Sequence, residues 1–187
     1  GLDKFNVADS VDTTKVAGAA PAKVKTNVDV AINNEATLKA DSKDITGYEQ
    51  KGADLYAKNT DGKLFKVTTI DSTTGKVTAV DTTEYTGGGT TAVTSIKKEV
   101  APTGPEAANV RAYTGTEKGA SAYVIQEGTG ADAKYFKASV ADDGTVTKGS
   151  ALSTTAKTAD PLATLDNALS QVDELRSGLG AVQNRFD

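Results

Sequence analysis

The chain has 187 residues, with 21 Lys and Arg against 25 Asp and Glu, a net charge of −4. It contains no Cys, His, Met or Trp. That excludes disulfide frameworks, thiolate nucleophiles, zinc fingers, iron–sulfur clusters and the commonest general base. The mildly acidic balance, with lysines scattered and not clustered, argues against a nucleic-acid partner. No apolar run approaches the ~20 residues of a membrane helix. A first residue of Gly in place of Met reads as an excised piece, with any targeting signal outside it. Abundant Thr, Gly and Asp with 5% aromatics suits exposed antiparallel strands and turns on an extracellular surface.

Up to about residue 158 the pattern is β. Candidate strands are Lys23–Ile32, Asp54–Lys58, Lys63–Ile70, Lys76–Val80, Ser95–Val100, Ser121–Gln126, Lys134–Val140 and Thr145–Lys148. The stretch Lys23–Val30 alternates polar and apolar residues, as a half-buried strand does. Turn chemistry separates the strands at Thr60-Asp61-Gly62-Lys63, Ser72-Thr73-Thr74-Gly75 and Asp142-Asp143-Gly144.

Two segments echo one another. Leu64-Phe65-Lys66-Val67-Thr68 leads to Gly75 and Val77-Thr78; Tyr135-Phe136-Lys137-Ala138-Ser139 leads to Gly144 and Val146-Thr147. Each follows a strand carrying a tyrosine, Tyr56 or Tyr123. Each reads as a three-stranded meander, by duplication or by convergent hairpin chemistry. Between them lie Thr86-Gly87-Gly88-Gly89-Thr90-Thr91 and Ala101-Pro102-Thr103-Gly104-Pro105. Glycine runs raise chain entropy and proline breaks ladders, so this stretch is a candidate inter-subdomain connection or a set of long surface loops. The Ala-rich Val16–Ala22 is another candidate crossing, and Glu106–Arg111 a short helical turn.

From Asp160, an N-cap, and Pro161, a first-turn residue, the period changes. Leu162, Leu165, Leu169, Val172, Leu175, Leu179, Val182 and Phe186 recur at steps of three and four. The spacing predicts a helix of about 26 residues and about 39 Å at ~1.5 Å per residue. Gly178 and Gly180 each cost it about 1 kcal/mol relative to Ala, so packing against a partner outside this chain must hold it. The expected fold class is mainly β with one long C-terminal α-helix. Antiparallel meanders and hairpins would form one or two outer subdomains.

Catalytic patterns fail on inspection. Ser95-Ile96-Lys97-Lys98 has Ser-x-x-Lys spacing, but in a strand and without companion motifs. Gly119-Ala120-Ser121-Ala122-Tyr123 lacks the last glycine of a nucleophile elbow and any histidine. Gly75-Lys76 lacks the rest of a phosphate loop. Asp142-Asp143-Gly144 lacks the further ligands of a calcium loop and reads as a hairpin turn. Asp173 and Glu174 point about 100° apart on a helix and cannot form an acid/base pair across one bond. The expectation is no enzyme, no cofactor and no metal.

The two ends are more specific. The run Asp160–Asp187, above all Leu175-Arg176-Ser177-Gly178-Leu179-Gly180-Ala181-Val182-Gln183-Asn184-Arg185-Phe186, resembles bacterial flagellin of the enterobacterial type. Gly1-Leu2-Asp3-Lys4-Phe5-Asn6-Val7 resembles the point where such flagellins leave their helical D1 domain. The resemblance implies three parts: a D1 exit over 1–8, a variable outer β region over 9–158 (D2-like, with or without a reduced D3-like subdomain), and a D1 C-terminal helix over 159–187. It implies a structural subunit of the motile flagellar filament, secreted through the flagellar export apparatus, extracellular, with an antigenic outer surface bound by antibodies. The partners implied are other flagellin subunits, packing on the seam Leu162, Leu165, Leu169, Val172, Leu175, Leu179, Val182 and Phe186. It further implies a surface at Leu165, Asp166 and Leu169 read by the innate receptor TLR5; Leu165 and Leu169 cannot be buried in the seam and face a receptor at once. The alternative function is a cell-surface adhesin-like β module binding glycan or host protein.

Overall fold

A computed structural model of the chain describes residues 9–155. They fall into two compact units. One comprises 22–103 and 140–145; the other contains the described parts of 1–21, 104–139 and 146–187. The chain passes between them at Pro21/Ala22, Thr103/Gly104, Ser139/Val140 and Thr145/Val146; the first two lie inside the Val16–Ala22 and Ala101–Pro105 stretches. The triple glycine does not mark a crossing, because it lies within the first unit.

The first unit holds β1 (Val24–Ala31), β2 (Asn33–Asn34), β3 (Ile45–Lys51), β4 (Asp54–Asn59), β5 (Leu64–Asp71), β6 (Lys76–Tyr85), β7 (Thr91–Val93) and β8 (Ser95–Val100). β1 and β8 pair antiparallel as a ribbon; the others form a six-stranded sheet in the order β2-β6-β5-β4-β3-β7. β3 to β6 run as an antiparallel meander because only short turns join them. Both edge strands, β2 and β7, are two or three residues long, which limits the unpaired backbone offered to other chains. The core gathers Tyr48, Ala57 and Val77, with Leu38, Ile45, Leu55 and Val67 among the side chains packed on them. Phe65 on β5 is fully buried. Burying an apolar side chain of this size contributes about 1.5–3 kcal/mol.

The β1–β8 register slips between Lys25 and Asp29. There the buried Thr26 hydroxyl substitutes for the ladder: it donates to the Lys98 carbonyl at 2.8 Å and accepts the Val28 N–H at 3.1 Å. The strand can therefore bulge without leaving buried backbone groups unpaired.

The second unit holds β9 (Val110–Ala112), β10 (Tyr123–Glu127), β11 (Lys134–Val140) and β12 (Val146–Leu152), a sheet ordered β12-β11-β10-β9. Its core joins Val11, Tyr113, Val124 and Tyr135. The loop 105–109 closes one hydrogen-bonded turn, Val110 N–H to the Glu106 carbonyl, before β9 begins.

Both expected meanders are present, β4-β5-β6 and β10-β11-β12. Their registers are offset, however: Lys66 faces Tyr56, whereas Lys137 faces Val124 and not Tyr123. The buried aromatic is correspondingly Phe65 in one and Tyr135 in the other. A one-residue offset exchanges the faces of a strand, so the echo is one of hairpin chemistry more than of packing.

The fold class requires a correction. Among the described residues the protein is mainly β, and its only helical elements are the three-residue 3-10 turns Thr13–Lys15 and Gly130–Asp132. The expected long C-terminal helix, with the positions Leu162, Leu165, Asp166, Leu169, Val172, Leu175, Leu179, Val182 and Phe186, lies outside the described residues. Apolar spacing specifies a face that needs a partner. Among the described residues no second helix offers one, so spacing alone was too little to set the fold class.

Candidate functional site

The strand and turn geometry disposes of each catalytic pattern in physical terms. Ser95 and Lys98 lie three residues apart on β8, so their side chains leave opposite faces and cannot meet. The Ser121 hydroxyl donates to the Tyr123 carbonyl at 2.7 Å, a local backbone bond with no base beside it. Gly75 has φ of 77°, and an added Cβ would lie 2.1 Å from the Ala31 carbonyl oxygen. This glycine serves close packing between β-segments. Asp143 accepts the Thr145 N–H at 2.9 Å, and this bond with the Thr145 hydroxyl holds its carboxyl below the usual range. Gly144 at φ 91° completes that hairpin turn. Among the described residues no group of three carboxylates could hold a metal ion.

A concavity of about 840 Å³ lies in the second unit. Val124, Ala138 and Leu152 form its apolar part, and Asp9, Tyr113, Glu117, Tyr123 and Lys137 supply polar groups. Those groups already serve the fold. The Tyr113 hydroxyl accepts the Asp12 N–H at 2.8 Å and donates to the Glu117 carboxylate. Burial, with the Glu117 and Asp12 charges behind it, pushes the Tyr113 phenol up. Lys137 pairs with Asp9. These groups form no nucleophile–base pair. Sequence reasoning did not single out Tyr113 or Glu117, because their five-residue neighbourhood carries no period and only tertiary folding brings Asp12 to it.

Elsewhere in both units several ionisable groups serve strand pairing. Glu49 on β3 accepts the Thr90 hydroxyl at 2.5 Å and the Lys58 ammonium at 3.1 Å, and both hold its carboxyl low. Lys97 pairs with Asp29 across the β1–β8 ribbon at 2.9 Å. Lys148 on β12 pairs with Glu127 at 2.7 Å and lies over the Phe136 ring, 4.6 Å from its centroid.

The fold and these sites define a mainly antiparallel β protein whose polar side chains hold turns, edges and strand pairs together. Comparison with known proteins gives this class a family. Over 152 residues the chain is 39% identical to a flagellin of Serratia marcescens, a match covering 78% of this chain and 42% of that protein. The chain belongs with the flagellins, and it spans less than half the length of the relative it matches. No family model matches the chain, and no solved structure matches it.

Proposed function

We propose that this chain is part of a structural subunit of the bacterial flagellar filament, extracellular, without catalytic activity, and assembled with further copies of flagellin. The observation that carries the reading is the 39% identity to a flagellin across most of the chain. Support comes from the way the polar groups are used, in turns and strand pairs and not in a reactive constellation. In this reading the β units over 9–155 form the outer, antigenic surface of the filament, which suits their exposed Thr- and Lys-rich strands. Subunit contacts fall to the apolar series Leu162, Leu165, Leu169, Val172, Leu175, Leu179, Val182 and Phe186. Leu165, Asp166 and Leu169 are the alternative assignment, positions that meet the innate receptor TLR5, and that role takes Leu165 and Leu169 out of the buried series.

The test uses the full-length parent protein in a bacterium lacking its own flagellin. Filaments should form, and an antibody raised against residues 20–150 should decorate them along their length in electron micrographs. Leu179→Asp and Val182→Asp should reduce filament yield, because each introduces an unpaired charge into an apolar contact. Absence of filaments from the parent protein would overturn the structural reading. Filaments that the antibody does not label would overturn the outer-surface reading, and unimpaired Asp variants would overturn the contact series.

A further inference from the structure

The composition and one aromatic contact point to a chemistry that the filament role does not require. The side chains that usually absorb oxidative damage are Cys, Met, Trp and His, and the chain has none of them. Six tyrosines are then the most readily oxidised side chains it carries. Two of these are in ring contact: Tyr56 on β4 and Tyr85 on β6, with centroids 4.2 Å apart and planes inclined by 30°.

The sheet order explains the contact. β4 and β6 flank β5, where Tyr56 stands opposite Lys66 and Tyr85 opposite Leu64. The two rings reach over β5 from either side. Tyr56 is buried, while Tyr85 is half-buried and reachable by an electron acceptor. The Tyr85 hydroxyl donates to the Gly88 carbonyl at 2.7 Å and accepts from Lys51 Nζ at 3.3 Å. An added Cβ on Gly87 would lie 2.6 Å from the Tyr85 hydroxyl oxygen, so a side chain there would displace the ring or the loop. The 86–90 loop therefore closes around the ring and fixes it against Tyr56.

We propose that Tyr56 and Tyr85 are a built-in oxidative cross-linking site, which a one-electron oxidant converts to dityrosine within one chain. Each phenol loses one electron and one proton to become a phenoxyl radical. The radicals join through a carbon ortho to each oxygen, and the two ring hydrogens then shift to the oxygens to restore the phenols. The pair loses two hydrogen atoms in all; hydrogen peroxide, acting through a haem peroxidase, accepts them and leaves as two molecules of water. Two features favour this pair over the others. Rings in contact share the positive hole, which stabilises the first oxidised state, and the second ring is already within contact distance, so coupling needs no diffusion of a second chain. The new bond would staple β4 to β6 across β5.

The experiment treats the 187-residue chain with a haem peroxidase and hydrogen peroxide, beside a free tyrosine amide as a dosing control. Tryptic peptides are then mapped by mass. Cleavage after Lys51, Lys58, Lys76 and Lys97 places Tyr56 in peptide 52–58 and Tyr85 in peptide 77–97. The expected product joins these two peptides, two hydrogen atoms lighter than their sum, with dityrosine fluorescence in the monomer fraction. Tyr56→Phe and Tyr85→Phe keep a ring in place and should each return the product to the level of the untreated chain. The proposal is overturned by any of three results: the control is oxidised while the 52–58/77–97 link is absent, the cross-links run between chains, or the link survives in either Phe variant.

Discussion

The side-chain amide of Asn59 donates to the Ala40 carbonyl oxygen at 3.1 Å, and both residues are fully buried. The Asn59 Oδ1 atom meanwhile accepts the N–H groups of Asp61 and Lys63, each at 3.0 Å. One polar side chain thus closes the β4–β5 turn and fastens the 33–44 segment to the end of β4. Replacing it with Ala removes one of the two donors to the Ala40 carbonyl, which keeps the Lys43 N–H, and opens the turn. Each such hydrogen bond contributes about 0.5–1.5 kcal/mol net. Asn59→Ala should lower the urea midpoint of the first unit by a corresponding amount, followed by circular dichroism; an unchanged midpoint would remove Asn59 from this role.

Immediately beside it, Asp41 and Ser42 have φ of 52° and 63°, left-handed values that only glycine adopts freely. Ala40 and Lys43 exchange both backbone hydrogen bonds around them, the geometry of a two-residue hairpin turn. Such turns favour Asn-Gly. Ser42→Gly should therefore stabilise the protein by about 0.5–1 kcal/mol, the relief of strain outweighing the added freedom of the unfolded chain. A fall in thermal midpoint for this variant would show the turn to be unstrained.

Where a strand alternates and carries β-branched residues, the sequence reading and the structure agree closely: β8 and β11 match their expected bounds, and β1 falls within a residue of them. β3 gave no comparable signal, because Thr46, Gly47, Glu49 and Gln50 dilute its apolar face and the strand bulges between Ile45 and Gly47. β6 continues to Tyr85 through Asp81-Thr82-Thr83-Glu84, polar residues that leave the core; the register slips after Val80, and Glu84 rejoins β5 opposite Phe65. The buried Asn59 was illegible for a different reason. A single Asn near an Asp-Gly pair signals a turn, and nothing local says that Ala40 will be its partner. The apolar spacing beyond Pro161 shows the opposite error, in which a strong period outran what the described residues establish.

Glycine substitutions should separate backbone conformation from crowding. Gly52 and Gly75 both have positive φ, at 59° and 77°. A Cβ on Gly52 meets nothing within 4 Å, whereas on Gly75 it meets the Ala31 carbonyl oxygen at 2.1 Å. Gly52→Ala should cost about 1 kcal/mol, the left-handed penalty alone. Gly75→Ala adds displacement of backbone, and its cost should rise to about 3 kcal/mol or more. Equal midpoints for the two variants in denaturant titrations would mean that β1 and the β5–β6 turn yield freely.

The same structure predicts a broad pH plateau with two different edges. Asp44, Glu49, Asp71 and Asp143 have carboxyls held below their ordinary values, Asp44 by Lys39, Glu49 by Thr90 and Lys58, Asp71 by the Thr73 N–H, and Asp143 by Thr145. A depressed carboxyl favours the fold above its unfolded pKa, and that contribution disappears as pH falls through the folded value. Stability should thus decline below about pH 4, where free carboxyls protonate. The alkaline edge belongs to the tyrosines. Burial pushes the Tyr48 phenol from 10.0 up to about 12 and also raises Tyr56 and Tyr113. A raised phenol favours the fold below its unfolded pKa, and its contribution is lost as pH climbs from there through the folded value. With no histidine to titrate between these edges, the thermal midpoint should stay level from about pH 5 to about pH 9. Ultraviolet titration of phenolate, run alongside circular dichroism, checks the upper edge. Tyr48, Tyr56 and Tyr113 should resist ionisation until the fold is lost; these three titrating near pH 10.0 in a still-folded chain would show that burial does not protect them.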